Sequence, residues 1–231
     1  MLECDHTDAA VRHVDGDYAD MFLRLLGEHA PRLELTRVDV VGGAPLPDLD
    51  TVDGLLVTGS RHDAVATDRW ITDLAALLRT AHRRNTPTVG ICFGHQLIAH
   101  ALGGRVERAA AGWGVGVHTA ALTPAGRDRF GPPHHVALLH SHQDQVTALP
   151  PSGRVLAASP HAPIAALEVG SLLGFQGHPE FRPAYAAALM DSREQRIPAA
   201  VRDRAHASLG EPTQHAEVAG WIGRHLAGVS R

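Results

Sequence analysis

The stretch TVGICFGHQLIAHALGG, from Thr88 to Gly104, decides how the chain is read. It opens on a short run, TVGI, reaches one of only two cysteines between glycines, and continues at helical spacing to Gly103. The run after Pro87 reads as a strand and the segment after Cys92 as a helix. Gly90 and Gly94 stand two residues either side of Cys92. A side chain lifted above a sheet on a tight strand-to-helix turn needs small neighbours there, because the chain folds back on itself. A thiol at the helix N-terminus faces unpaired N–H groups and a positive dipole end, which favours the thiolate. The N–H of Phe93 then points toward an oxyanion formed at an attacked carbon. The competing reading is a small buried residue, since free cysteine is among the residues most often found inside.

Outward from this stretch, strands and helices alternate. Tyr18, Met21, Phe22, Leu25 and Leu26 recur at helical spacing before Pro31. LELTRVDVV predicts a strand, and TVDGLLVTGS a fully buried one ending in a glycine turn. Trp70, Ile71, Leu74, Leu77, Leu78 and Ala81 form a helix face, opened near Thr67 or Asp68 and closed by His82, Arg83 and Arg84 against the dipole. From Val115 the texture shifts to short strands: VGVHTAAL, VALLHSH, RVLAAS, IAALEV and SLLGFQG. The final ~45 residues return to helix. This order predicts an α/β fold with a mostly parallel central sheet, helices on both faces and a β-rich insertion. At 231 residues a single domain over 1–231 is expected.

Composition narrows the function. Apolar residues make up 44% and charged residues 20%, as in folded soluble proteins. No apolar run approaches the ~20 residues of a membrane span, and the acidic N-terminus MLECDHTDAA is unlike a secretory signal. A cytoplasmic protein is expected. Cys4 and Cys92 make neither a disulfide framework nor a zinc spacing. A net charge of -4 without a basic cluster gives no support to nucleic-acid binding. The chain contains no lysine, which excludes a Walker lysine and a lysine Schiff base.

A second motif bears on Cys92. FQGHPEF places His178 and Glu180 two apart across Pro179. Proline biases the preceding residue toward an extended conformation, where residues i and i+2 project to the same side. The carboxylate can then fix the imidazole tautomer and stabilise its protonated form, while the other ring nitrogen serves the cysteine. Alone, the tripeptide also fits a loop with solvated side chains. The conjunction of the two motifs favours the nucleophile.

GICFGHQLIAHALGG and GFQGHPEF resemble the nucleophile and His-Glu motifs of the class I glutamine amidotransferases. LLHSHQDQVTALP resembles the substrate-loop segment of the GMP-synthase-type glutaminase domains. The resemblance spans roughly Leu2 to Phe181 with its landmarks in family order. It implies a flavodoxin-like fold, a Cys92, His178, Glu180 triad, attack on the γ-carboxamide of glutamine, and a γ-glutamyl thioester hydrolysed by water. It also implies an oxyanion region at Gly59, Ser60 and the Phe93 N–H, and substrate contacts from Gln96, Ser141, Gln143 and Asp144. For Gln96 a water-exposed first-turn residue is the alternative, and for VTGSRHDA an ordinary loop. The segment TGSRHDA with Asp68 and Trp70 departs from the Gly-Gly-Pro loop of GMP synthases, and resembles stand-alone relatives that include γ-glutamyl peptidases acting on thiol conjugates. Either glutamine or another γ-glutamyl small molecule is therefore the expected substrate. The sequence ends about fifty residues after Glu180, so an ammonia acceptor is expected to be a separate synthetase. A silent binding module would lack a triad member, and none is missing.

The remaining signals read as bland. Among seventeen histidines, His134, His135, His140 and His142 invite a metal, and HSH on a strand would put two imidazoles on one side. No acidic or cysteine cluster completes a site, so neither a metal nor a cofactor is expected. GGRVE and GWGVGV read as turns, without the spacing of phosphate loops. Arg182 and the arginines from Arg193 to Arg204 read as a solvated helical surface.

Overall fold

In the first part of the chain, β1 (Leu2–Glu3), α1 (Ala9–Asp15), α2 (Tyr18–His29), β2 (Val38–Asp39), β3 (Leu55–Val57), α3 (Arg69–Arg84), β4 (Thr88–Ile91) and α4 (Phe93–Ala101) follow one another. There follow β5 (Arg105–Arg108), β6 (Gly114–Leu122), α5 (Pro124–Phe130), β7 (His135–His142), β8 (Asp144–Ala148), β9 (Arg154–Ala158), β10 (Ala166–Val169) and β11 (Leu172–Phe175). Three helices complete the described residues: α6 (Pro183–Ser192), α7 (Ala199–Ser208) and α8 (His215–Leu226). The structure is a computed structural model and describes residues 1–228; the last three residues of the expected 1–231 domain lie outside the described residues.

Nine strands form one mixed sheet in the order β2-β1-β3-β4-β11-β10-β9-β6-β7, and β5 pairs separately with β8. The pairings from β2 to β11 are parallel, and those from β11 to β7 antiparallel. The β-rich segment therefore extends the central sheet. Alternating strand residues serve two cores. Leu56, Val89, Ile91, Leu173 and Phe175 face α2 and α8, against Phe22, Leu26, Val218 and Ile222. Leu55, Val57 and Leu172 face α3 and α4, against Ile71, Leu74, Leu78, Leu97 and Ile98. The α/β class with helices on both faces is thus observed. Among the described residues, no helix is long and apolar enough to cross a membrane.

Two local expectations are corrected. LELTRVDVV pairs only at Val38 and Asp39, because its partner β1 is itself two residues long and an edge strand has no second neighbour. GGRVE is not a turn throughout: Arg105–Arg108 forms β5, with a largely exposed Arg-Val-Glu-Arg sequence that carries no alternating apolar signal.

Candidate active site

β4 runs between β3 and β11, so a residue at its C-terminal end stands at the middle of the sheet. That residue is Cys92. Its N–H donates to Phe175 O at 2.8 Å, and its φ of 50° and ψ of -96° depart from both strand and helix before α4 begins at Phe93. A non-glycine residue at positive φ is held there against its own preference. The flanking glycines explain how. A Cβ on Gly90 would lie 2.4 Å from Gly94 C and O, and a Cβ on Gly94 would lie 2.5 Å from Val57 O. The turn closes only because both side chains are absent.

His178 follows β11 and donates its backbone N–H to Leu139 O of β7 at 2.8 Å. Its Nδ1 donates to Glu180 Oε1 at 2.7 Å, the i, i+2 pairing expected across Pro179. The other ring nitrogen is left free of Glu180, and Cys92 lies beside the ring: a Cβ on Gly59 would meet both His178 Cε1, at 2.9 Å, and Cys92 Cβ, at 3.8 Å. The Phe181 ring stacks on the imidazole with centroids 3.9 Å apart and planes 7° apart. On the Gly59 side, a Cβ at that position would lie 2.9 Å from His178 Cε1. The ring is thus clamped in plane. Burial opposes an imidazolium here, but Glu180 and Cys92 together outweigh it and raise the His178 pKa.

Thr58, Gly59 and Ser60 lead from β3 across this pair. Thr58 N–H donates to Leu2 O at 3.2 Å, and Ser60 Oγ is bonded to His62 through both its N–H and Nδ1, at 3.1 and 2.9 Å. Buried Asp5 holds the loop from beneath, accepting from the Arg61 N–H at 2.8 Å and from its Nε at 2.9 Å. Phe93 is the first residue of α4, whose leading amides have no intrahelical acceptor.

A cavity of about 190 Å³ opens above Cys92. Ser60, Gln96, Ser141, Gln143 and Asp144 all line it, so the structure brings these expected residues to one place. Gln96 is not a water-exposed first-turn residue: it is buried, and its Nε2 donates to Asp144 O at 2.6 Å and Gln176 Oε1 at 3.2 Å. Asp144 and Gln143 accept from Arg108 at 2.8 and 3.1 Å. Several residues of the site escaped the sequence reading. Gln176 lies inside the FQGHPEF motif, and its Nε2 donates to Cys92 Sγ at 3.6 Å. Arg193, read as solvated surface, lines the cavity with Arg196 and donates to Ser141 Oγ at 2.7 Å. It follows directly after α6, and only the packing of that helix brings it to the strand ends.

His140 and His142 do share one side of β7, with the His118 ring 5.0 Å from that of His140 and the His161 ring 5.6 Å from that of His142. His140 Nδ1 and His142 Nε2 bond to each other at 3.1 Å, and His142 Nδ1 to Asp144 O at 3.2 Å. Burial, and then repulsion from neighbouring histidines (His142 for His140, His161 and His118 for His142), lowers the pKa of both, His142 to about 3. Among the described residues, no group of three or more His, Cys, Asp or Glu is arranged to hold a metal ion. His134 and His135 are exposed. Both cysteines are free thiols.

Comparisons with known proteins bear on the family and the fold. The family described as "Glutamine amidotransferase class-I" matches residues 20–191. The chain is 35% identical to gamma-glutamyl peptidase 5 of Arabidopsis thaliana over 188 residues, covering 78% of this chain and 74% of the relative. It is 33% identical over 169 residues to the glutamine-hydrolyzing GMP synthase of Thermus thermophilus, covering 71% of this chain and 32% of that longer protein. The fold is shared with a glutamine amido transferase from Methylobacillus flagellatus, at a TM-score of 0.75, 19% identity and coverage of 100% and 94% of the two chains. The chain belongs to the class-I glutamine amidotransferase family of enzymes.

Proposed function

We propose that the chain is a cysteine-dependent hydrolase that cleaves the γ-carboxamide of glutamine to glutamate and ammonia. One observation carries the reading: Cys92 at the strained tip of β4 beside an imidazole whose other nitrogen is bonded to buried Glu180. In the first half-reaction the Cys92 thiol gives its proton to His178, the sulfur bonds to the γ-carbon, and the carbonyl electron pair moves onto oxygen. The Phe93 N–H and the Gly59–Ser60 loop are assigned to that oxyanion. Collapse breaks the C–N bond, and the proton on His178 goes to the departing nitrogen. Water then gives a proton to His178 and attacks the thioester; the C–S bond breaks and glutamate leaves. Gln96, Ser141, Gln143 and Asp144 are assigned to the amino-acid end of the substrate. Ammonia released in this way would serve a separate synthetase.

A second reading keeps the chemistry and enlarges the leaving group to the amine of a γ-glutamyl peptide or thiol conjugate. The 35% identity to a protein named as a gamma-glutamyl peptidase favours it, and no acceptor for ammonia is then needed. Intact-protein mass after mixing with glutamine, or with γ-glutamyl peptides, tests both. A γ-glutamyl adduct or turnover with glutamine, lost in Cys92→Ala, supports the glutaminase. Reaction with γ-glutamyl peptides alone supports the peptidase. Absence of adduct and turnover with all of them would overturn the hydrolase.

A further inference from the structure

Four guanidiniums line the cavity above Cys92. Arg61 is held by Asp5 and Arg108 by Asp144, each at hydrogen-bond distance. Arg193 donates to the uncharged Ser141 Oγ. Arg196 lies over the Trp113 ring, 5.4 Å from guanidinium carbon to centroid. Among the described residues, neither Arg193 nor Arg196 is in an ion pair. Asp63 adds one more carboxylate to the wall, so four guanidiniums face three carboxylates when Asp5 is included. A concave site with excess positive charge concentrates anions.

Glutamine, a zwitterion, leaves that excess unbalanced. A γ-glutamyl amide whose amine half carries a carboxylate brings one net negative charge. Arg193, bonded to Ser141 of the loop assigned to the amino-acid end, is placed for the α-carboxylate. Arg196 remains for a second one. It is also pre-positioned: Trp113 is buried, its Nε1 donates to Arg196 O at 2.9 Å, and its ring carries the guanidinium of the same residue. An arginine fixed on an aromatic face gives up little freedom on meeting a carboxylate.

We propose that Arg196 on Trp113 forms a subsite for a carboxylate on the leaving amine, so that the enzyme prefers γ-glutamyl amino acids and peptides to glutamine. The proposal rests on the γ-glutamyl hydrolase reading above and selects the second form of it. The test compares γ-glutamylglycine with γ-glutamylglycinamide, which differ only in that carboxylate. In the wild-type protein kcat/KM should favour γ-glutamylglycine by about tenfold or more, the factor that one charge-assisted hydrogen bond carries. Arg196→Gln should bring the ratio toward one, whereas Arg193→Gln should weaken both substrates alike. A ratio near one in the wild-type protein, or one unchanged by Arg196→Gln, overturns the subsite while turnover preserves the hydrolase. Calorimetric binding of the same pair to Cys92→Ala reads the selectivity without chemistry. No turnover by the wild-type protein together with carboxylate-selective binding to Cys92→Ala would overturn the hydrolase and keep the subsite. Neither turnover nor binding would overturn both.

Discussion

Acidification from pH 7 to pH 5 is expected to cost the fold roughly 4 kcal/mol, through two histidines that are held neutral in the interior. Burial pulls His95 to about 4. Burial, and then the charges of His161 and His118, pull His142 to about 3. An unfolded histidine titrates near ~6.5. Between the two values the folded chain binds fewer protons than the unfolded one, so stability rises with pH across that window and is lost as pH falls below about 6.5. At pH 5 each group has given up about 2 kcal/mol, from about 1.5 pH units at 1.36 kcal/mol each. His140 acts in the same direction. His178, whose pKa is raised, offsets no more than about 1 kcal/mol of the loss, because below about 6.5 it is protonated both folded and unfolded. Against a total of about 5–15 kcal/mol, the loss is large. Urea unfolding at pH 7, 6 and 5 reads it directly, and His142→Gln should reduce the pH dependence by about half. An unfolding free energy that stays constant within about 1 kcal/mol from pH 7 to 5 would refute the reasoning.

Other perturbations separate chemistry from architecture. Glu180→Gln should lower kcat about 10²–10⁴-fold, because the imidazolium loses its carboxylate, and should move the basic limb of the pH–rate profile to lower pH; an unchanged profile would count against the pairing. Gly94→Ala should cost at least about 1–3 kcal/mol in thermal or urea unfolding, since its Cβ meets a strand carbonyl at 2.5 Å rather than a movable side chain. A neutral result would mean that the turn can relax. Asp5→Asn keeps the shape beneath the Ser60 loop but removes the charge that holds Arg61, so kcat should fall about tenfold or more with little change in KM. An equal change in KM would place Asp5 outside the positioning of that loop.

Much of the site was legible because its constraints are local. Gly90 and Gly94 are required by contacts within six residues and with the adjacent strand, and His178 meets Glu180 through two residues of extended chain. The helices α2 and α3 were legible for the same reason, their apolar faces repeating at the helical period. What escaped depends on distant partners. The length of β2 is set by β1, and β5 exists only through its pairing with β8. Gln96 could be read as exposed until the Asp144 carbonyl closed over it from 48 residues away.

The sequence by itself determined the glycine-flanked turn at Cys92, the pairing of His178 with Glu180, and the order of strands and helices, because backbone sterics and residue periodicity act over a few residues. Only the tertiary structure decided the walls of the cavity. Arg193 and Arg196 sit in a stretch whose polarity reads as ordinary solvated surface, and they reach the site because α6 packs against β7 and Trp113 bonds to the backbone of Arg196. Charge balance across a cavity is a sum over residues far apart in the chain, so no local pattern records it.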